Sequence, residues 1–157
     1  MKKKLLSILL ILSVLSSAFL FTACESKDYS KHTFTYFGED FSWDWTKEDA
    51  AEYILQNEDE TWREVKINDF DVTNGNFTFE FNSDGQLMRI RCDAYGGARF
   101  VTHYTNMFGP YDEYESDLSI NYNAYTWYGT MGGENTKVLL YTTSSDVYLH
   151  FMHEDRY

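Results

Sequence analysis

Residues 70–92 read FDVTNGNFTFEFNSDGQLMRIRC, a stretch in which apolar and polar side chains alternate through two turn signals. Asn74-Gly75 and Asp84-Gly85 are dipeptides that favour two-residue type I′ hairpin turns, whose central residues need positive φ. With both turns formed, Val72 faces Phe77 and Phe70 faces Phe79 across the first hairpin. Across the second, Phe81 faces Met88, Phe79 faces Ile90 and Phe77 faces Cys92. All these apolar residues then share one sheet face, while Thr78, Glu80, Arg89 and Arg91 share the other. A slip of one residue would destroy that agreement, so the two turns support the same register. Cys92 reads as a small buried apolar residue rather than a reactive thiol.

Upstream, Thr46 is placed to cap a helix, with Glu48 and Asp49 in the first turn where the helix dipole favours carboxylates. Trp45 precedes the cap as a staple over Ala50. Ala50, Ala51, Tyr53, Ile54 and Leu55 form an apolar stripe, which predicts a helix over Thr46–Gln56. His32 to Phe37 alternates and predicts a first, edge strand. Downstream, Gly96-Gly97 breaks the chain. Phe100, Val101, Tyr104, Met107 and Phe108 then recur on one face of a second helix, stopped by Gly109-Pro110. An acidic loop is expected over Asp112–Asp117. Three more alternating runs follow, near 119–130, 136–142 and 147–152. With turns at Gly133-Glu134 and Ser144-Ser145, Trp127 faces Leu140, Leu140 faces Leu149 and Val138 faces Phe151.

The expected fold is therefore α+β: two helix-plus-three-stranded antiparallel meander units, over residues 32–95 and 96–157, with the helices packed on one sheet face. Whether the strands merge into one sheet is left open by the pattern. A chain of 157 residues supports a proper core without staples. Aromatics make up 18% of it, and Pro110 is its single proline, which reads as a sheet-rich globule rather than a disordered tail.

The N-terminus carries a different message. Lys2, Lys3 and Lys4 precede an uncharged run from Leu5 to Phe21, and Thr22-Ala23 follows: the parts of a secretory signal. With Cys24 directly after the small pair, Leu20 to Cys24 resembles the lipobox of bacterial lipoproteins, with Phe21 where leucine is usual. That resemblance implies removal of residues 1–23 and a lipid-bearing Cys24 at the new N-terminus. Residues 24–31 would be a tether, and the protein a lipid-anchored one of the cell membrane, facing outside the cytoplasm at the cell surface or in the periplasm. An ordinary secretory signal or an uncleaved anchor is the alternative. The chain has 13 basic and 25 acidic residues, a net charge of −12, and a removed leader would take three of the lysines. Such a chain repels nucleic acid and anionic headgroups, which excludes nucleic-acid binding and leaves the lipid as its hold on the membrane. With Cys24 acylated, Cys92 has no partner for a disulfide.

Trp45-Thr46-Lys47-Glu48-Asp49 and Phe108-Gly109-Pro110, in a helix-then-meander layout repeated behind a lipobox, resemble the β-lactamase-inhibitor-protein-like group and the related small outer-membrane assembly lipoproteins. The resemblance covers about residues 43–152. It implies a concave sheet used for protein binding, without catalysis. It carries over no functional residue by motif.

Other constellations read more plainly as structure. Asp69 to Thr73 with Glu80 imitates a calcium loop, but Asn74 stands where that loop needs glycine and both flanks read as strands. His150 and His153 point to opposite faces of a strand and do not share a metal. No phosphate-cradling glycine loop, paired-cysteine motif or G-x-S-x-G is present. No catalytic residue, cofactor or metal site is assigned, and nothing in the chain argues for an enzyme. The surplus tyrosines are the remaining signal. Tyr128, Tyr141 and Tyr148 fall on the face opposite Trp127, with Tyr128 opposite Leu139. Tyrosine is enriched at recognition surfaces because it offers rigid area with a polar tip. These rings either form a contact face for a protein partner or a sugar, or they cover one another. The expectation is a non-catalytic protein-interaction module, with carbohydrate or small-ligand binding as the alternative.

Overall fold

A computed structural model describes residues 26–58, 64–94 and 99–157; the leader, Cys24 and Gly96-Gly97 lie outside them. Thr46 starts the first helix, α1 (Lys47–Asn57), with a capping box. Its N–H donates to Asp49 Oδ2 at 2.8 Å, and the Asp49 N–H donates to Thr46 Oγ1 at 3.3 Å. Two orphan donors of the first turn are satisfied in this way. Ala50 and Ile54, one turn apart, are the fully buried positions of α1. The second helix, α2 (Arg99–Phe108), buries Tyr104 and Phe108 on the same spacing. It ends at Gly109, whose φ of +88° is costly for any residue with a Cβ.

The strands are β1 (Lys66–Ile67), β2 (Asp71–Thr73), β3 (Phe77–Phe81), β4 (Leu87–Ala94), β5 (Glu113–Asp117), β6 (Tyr122–Met131), β7 (Glu134–Thr142) and β8 (Val147–His153). All lie in one antiparallel sheet in the order β1-β2-β3-β4-β8-β7-β6-β5. This overturns the expected architecture. Two helix-plus-three-stranded units do not form; β4 and β8 pair from Arg89↔Met152 to Ala94↔Val147 and make a single eight-stranded sheet. Left apart, each would be an edge with a row of unpaired N–H and C=O groups, and their pairing removes both edges at once. Short strands are added at both outer margins. One of them, β5, falls in the run expected as an acidic loop, and its carboxylates guard the exposed edge against further pairing.

The predicted strand at 32–37 does not form either. Only Thr33 pairs, in one parallel bridge to Thr130. Phe34, Phe37, Phe41 and Trp43 are instead buried against the sheet. Hydrophobic burial, at about 1.5–3 kcal/mol for each such side chain, outweighs the local alternation.

The first hairpin and the β6–β7 pair differ from expectation by even steps, so their apolar face survives, and the one odd step is taken up by a bulge. In the first hairpin Asn74 N–H donates to Phe77 O at 3.2 Å, placing Gly75-Asn76 at the turn centre. Val72 therefore faces Phe79, not Phe77. The cause is the Asn74 side chain, whose Oδ1 accepts the N–H groups of Asn76 and Phe77 at 3.0 and 2.8 Å. Phe79↔Ile90 and Phe77↔Cys92 stand as expected, but a bulge between Glu80 and Phe81 places Phe81 opposite Leu87 rather than Met88. Gly132-Gly133 takes the β6–β7 turn, so Trp127 faces Val138 rather than Leu140, and Tyr128 faces Lys137 rather than Leu139. Leu140↔Leu149 and Val138↔Phe151 form as expected.

Val72, Phe79, Ile90, Cys92, Trp127, Val138, Leu140, Leu149 and Phe151 form one buried cluster with Ala50, Ile54, Tyr104 and Phe108. Both helices thus lie on the same side of the sheet. Two buried indoles fasten it: Trp43 Nε1 donates to Thr136 Oγ1 at 3.0 Å, and Trp127 Nε1 donates to Gly109 O at 2.9 Å. The opposite face carries no helix among the described residues.

Candidate binding face

The alternation that sends Leu149, Phe151, Leu140 and Trp127 inward sends Tyr148, His150, Met152, Leu139, Tyr141 and Tyr122 to the uncovered face. Register then assembles them. Tyr141 faces Tyr148 on one side and Ala124 on the other; Leu139 faces His150; Arg91 faces His150 from β4. Small Ala124 leaves room beside Tyr141. Its ring centre lies 5.0 Å from Tyr148, 6.1 Å from Tyr122 and 5.1 Å from the edge-on His150. Aromatic pairs at these separations contribute about 0.5–1.5 kcal/mol beyond area burial, which orders the patch.

The charges on the β4 side of the patch are matched. Arg89 grips Glu80 through Nε at 2.8 Å and through a second guanidinium nitrogen, and its third nitrogen donates to Tyr157 Oη at 3.2 Å. Arg91 lies with Nε 3.3 Å from Asp93 Oδ1, close enough for an ion pair although not angled for a hydrogen bond, and donates to Thr78 Oγ1 at 3.3 Å. Burial, and then the Arg89 and Arg91 charges, push the His150 imidazole down to about 4. It is therefore neutral at physiological pH. The centre of this face offers uncharged rings, with the guanidinium–carboxylate pairs along its β4 side.

The three tyrosines expected to share a contact surface separate. Tyr141 and Tyr148 do meet, half-buried, on the uncovered face. Tyr128 is only 5% exposed; its hydroxyl donates to Glu113 at 2.9 Å, Tyr29 packs edge-on against it, and burial raises its phenol to about 12. Its role is to receive the N-terminal segment, not to present a ring. Tyr122 takes the third place in the patch. Tyr122, which is not among the tyrosines expected at the contact face, shares a face of β6 with Tyr128 by alternation, but alternation does not say which end of β6 the chain covers. Tyr111, Tyr114 and Tyr125 gather separately on the helix side, with Tyr125 5.2 and 5.0 Å from the other two.

His150 and His153 separate as alternation requires: His153 stacks edge-on with Trp43 at 5.4 Å on the core side. Glu80, the last carboxylate of the calcium-like run, faces Asp71 across β2–β3 and holds Arg89. Among the described residues no three His, Cys, Asp or Glu side chains are grouped to hold a metal ion, and no helix is long and apolar enough to cross a membrane. Cys24 lies outside the described residues. No protein-family model, curated protein or solved structure matches this chain.

Proposed function

We propose that this chain is a lipoprotein of a bacterial cell envelope, anchored through an acylated Cys24, and that its uncovered sheet face binds a protein partner without catalysis. What supports this most is the asymmetry of the sheet. One face is sealed by two helices and an aromatic segment; the other orders Tyr122, Tyr141 and Tyr148 in contact, with His150 and Leu139 beside them. Rings held by neighbours lose little freedom on binding and present apolar area with hydroxyl tips, as recognition surfaces do. The −12 net charge is consistent with an anchor made of lipid rather than of basic residues.

Sugar binding is the second reading, because Tyr141 and Tyr148 are tilted by only 33° and offer faces on which a pyranose stacks. Cross-linking and pull-down from intact envelopes, run beside a glycan array, separates the two. A protein captured by the native chain and lost with Tyr141→Ala supports the first reading. A saturable glycan signal lost with the same substitution replaces it with the second. A Cys24→Ala variant should leave the membrane fraction; one that stays bound with unchanged mass removes the anchor.

A further inference from the structure

We infer that residues 26–34 hold the domain upright on the bilayer, with the strand ends near Tyr128, Asn135 and Glu154 against the lipid and the Tyr122–Tyr141–Tyr148 patch standing away from it. The inference rests on acylation of Cys24, proposed above. Its basis is how soon after Cys24 the chain is pinned. Lys27 pairs with Glu113 and sets its ammonium 4.9 Å from the centre of the Tyr128 ring. Tyr29 packs edge-on to that ring at 5.5 Å. Lys31 Nζ reaches Asp112 at 2.9 Å, and His32 Nε2 is 3.4 Å from the same carboxylate. Thr130 N–H then donates to His32 O at 2.9 Å, and Phe34 N–H donates to Thr130 O at 2.8 Å. The segment expected as a tether over 24–31 is thus docked from Lys27 onward. The three residue-to-residue steps from Cys24 to Lys27 span at most roughly 10 Å.

The pinning point lies at one end of the strands. Along β6, Tyr122 is six residues from Tyr128, or roughly 20 Å at ~3.3 Å per residue. Since β6, β7 and β8 run antiparallel, Asn135 and Glu154, joined by a 3.1 Å backbone hydrogen bond, share the pinned end. The turns at 118–121 and 143–146 share the far end. A leash half as long as the strand segment it would have to bridge keeps the first end at the lipid. Carboxylates are exposed at both ends, Glu115, Asp117 and Asp146 at the far one and Glu134, Glu154 and Asp155 at the near one, so the short leash and not the charge selects the end that meets the lipid. A binding patch at the far end meets its partner clear of the headgroups.

The test uses the full chain made in a bacterium, so that any processing and acylation occur, then reconstituted into phosphatidylethanolamine–phosphatidylglycerol vesicles carrying a headgroup nitroxide lipid. Fluorophores are placed singly at Asn135→Cys or Glu154→Cys near the leash, and at Ser119→Cys or Ser145→Cys at the far end. These four positions are exposed, whereas Cys92 is buried and stays unlabelled. Quenching several-fold stronger at 135 and 154 than at 119 and 145 is expected. Equal quenching at all four, on protein that floats with the vesicles, overturns the upright placement while leaving the anchor standing. Protein that does not float and has an unmodified Cys24 by mass overturns both. Lys27→Glu with Lys31→Glu should shrink the contrast; an undiminished contrast overturns the part assigned to these ion pairs.

Discussion

Asp112 Oδ2 accepts the backbone N–H of Tyr128 at 2.9 Å, filling the place on β6 that β5 leaves empty beyond Thr126. The same carboxylate receives Lys31, so one side chain joins the edge of the sheet to the N-terminal segment. Burial pushes this carboxyl up, but the Tyr128 N–H and Lys31 outweigh it and hold it below its usual range. Asp112→Ala should lower the unfolding free energy by about 1.5–3 kcal/mol, the size of a charge-assisted bond whose donor is left unpaired. Asp112→Asn keeps an acceptor and should lose less. A depressed carboxyl contributes fully above its unfolded value near ~3.9 and loses that contribution as pH falls through the folded value. Urea unfolding at pH 7 and pH 3 should therefore show the Asp112→Ala deficit shrinking at the lower pH.

Gly129 lets the N-terminal segment cross the sheet edge. A Cβ at this position would stand 2.5 Å from His32 O and 2.8 Å from both His32 Cβ and the Phe34 ring. Backbone cannot yield as a flexible side chain does, so Gly129→Ala should cost about 1–3 kcal/mol by overpacking. The segment should also be pushed off the sheet. Limited trypsin digestion reads this directly, with cleavage after Lys27 and Lys31 faster than in the native chain at a temperature where both stay folded.

Cys92 sits opposite Phe77 and Leu149 in the two ladders that meet on β4. Burial drives its thiol far above the ordinary range, so the thiolate is scarce and reagents have no access. A thiol reagent added to the native domain should leave Cys92 unmodified, and labelling should rise with urea along the unfolding curve. Cys92→Ser should cost about 1–3 kcal/mol, because a hydroxyl is harder to bury without a partner than a thiol. Labelling that outruns unfolding by orders of magnitude would show this part of β4 opening locally.

The apolar face was legible from Val72 to Cys92 because side-chain alternation has a period of two and tolerates even shifts: Val72 changed partner from Phe77 to Phe79 and remained buried, whereas Phe70 is exposed and a bulge put Leu87 in the place expected for Met88. Thr46 and Gly109 were legible because helix ends are settled by local chemistry. The joining of β4 to β8 was not, since strands as far apart in sequence as Arg89 and Met152 carry no shared signal beyond matching polarity. The run from His32 to Phe37 misled for the converse reason: Phe34 and Tyr36 alternate with threonines as in a strand, yet the sheet had a face to cover, and Phe34 and Phe37 were buried on it. In the candidate patch, Tyr141 and Tyr148 came from parity alone. Parity could not separate Tyr128 from Tyr122, because what distinguishes them is Lys27, Tyr29 and Glu113 arriving from elsewhere in the chain.

His150 gives the face a pH dependence that is separable from that of the carboxylates. The ring is 9% exposed, faced by Arg91 from β4 and Leu139 from β7, with Arg89 close by and Asp93 drawn towards Arg91. Its folded value of about 4 lies below the ordinary ~6.5 of the unfolded chain, so on acidification the unfolded chain takes up the proton first. The contribution of a neutral His150 is therefore whole above pH ~6.5 and is lost progressively as pH falls towards 4. A shift of that size corresponds to about 2–3 kcal/mol across the window. His150→Gln removes the titration while keeping a polar side chain, so its urea midpoint should change less between pH 7 and pH 4.5 than that of the native chain. The two curves should converge as the pH drops. Parallel curves would mean that the imidazole accepts its proton in place, and with it that two guanidiniums and burial fail to keep the centre of this face uncharged.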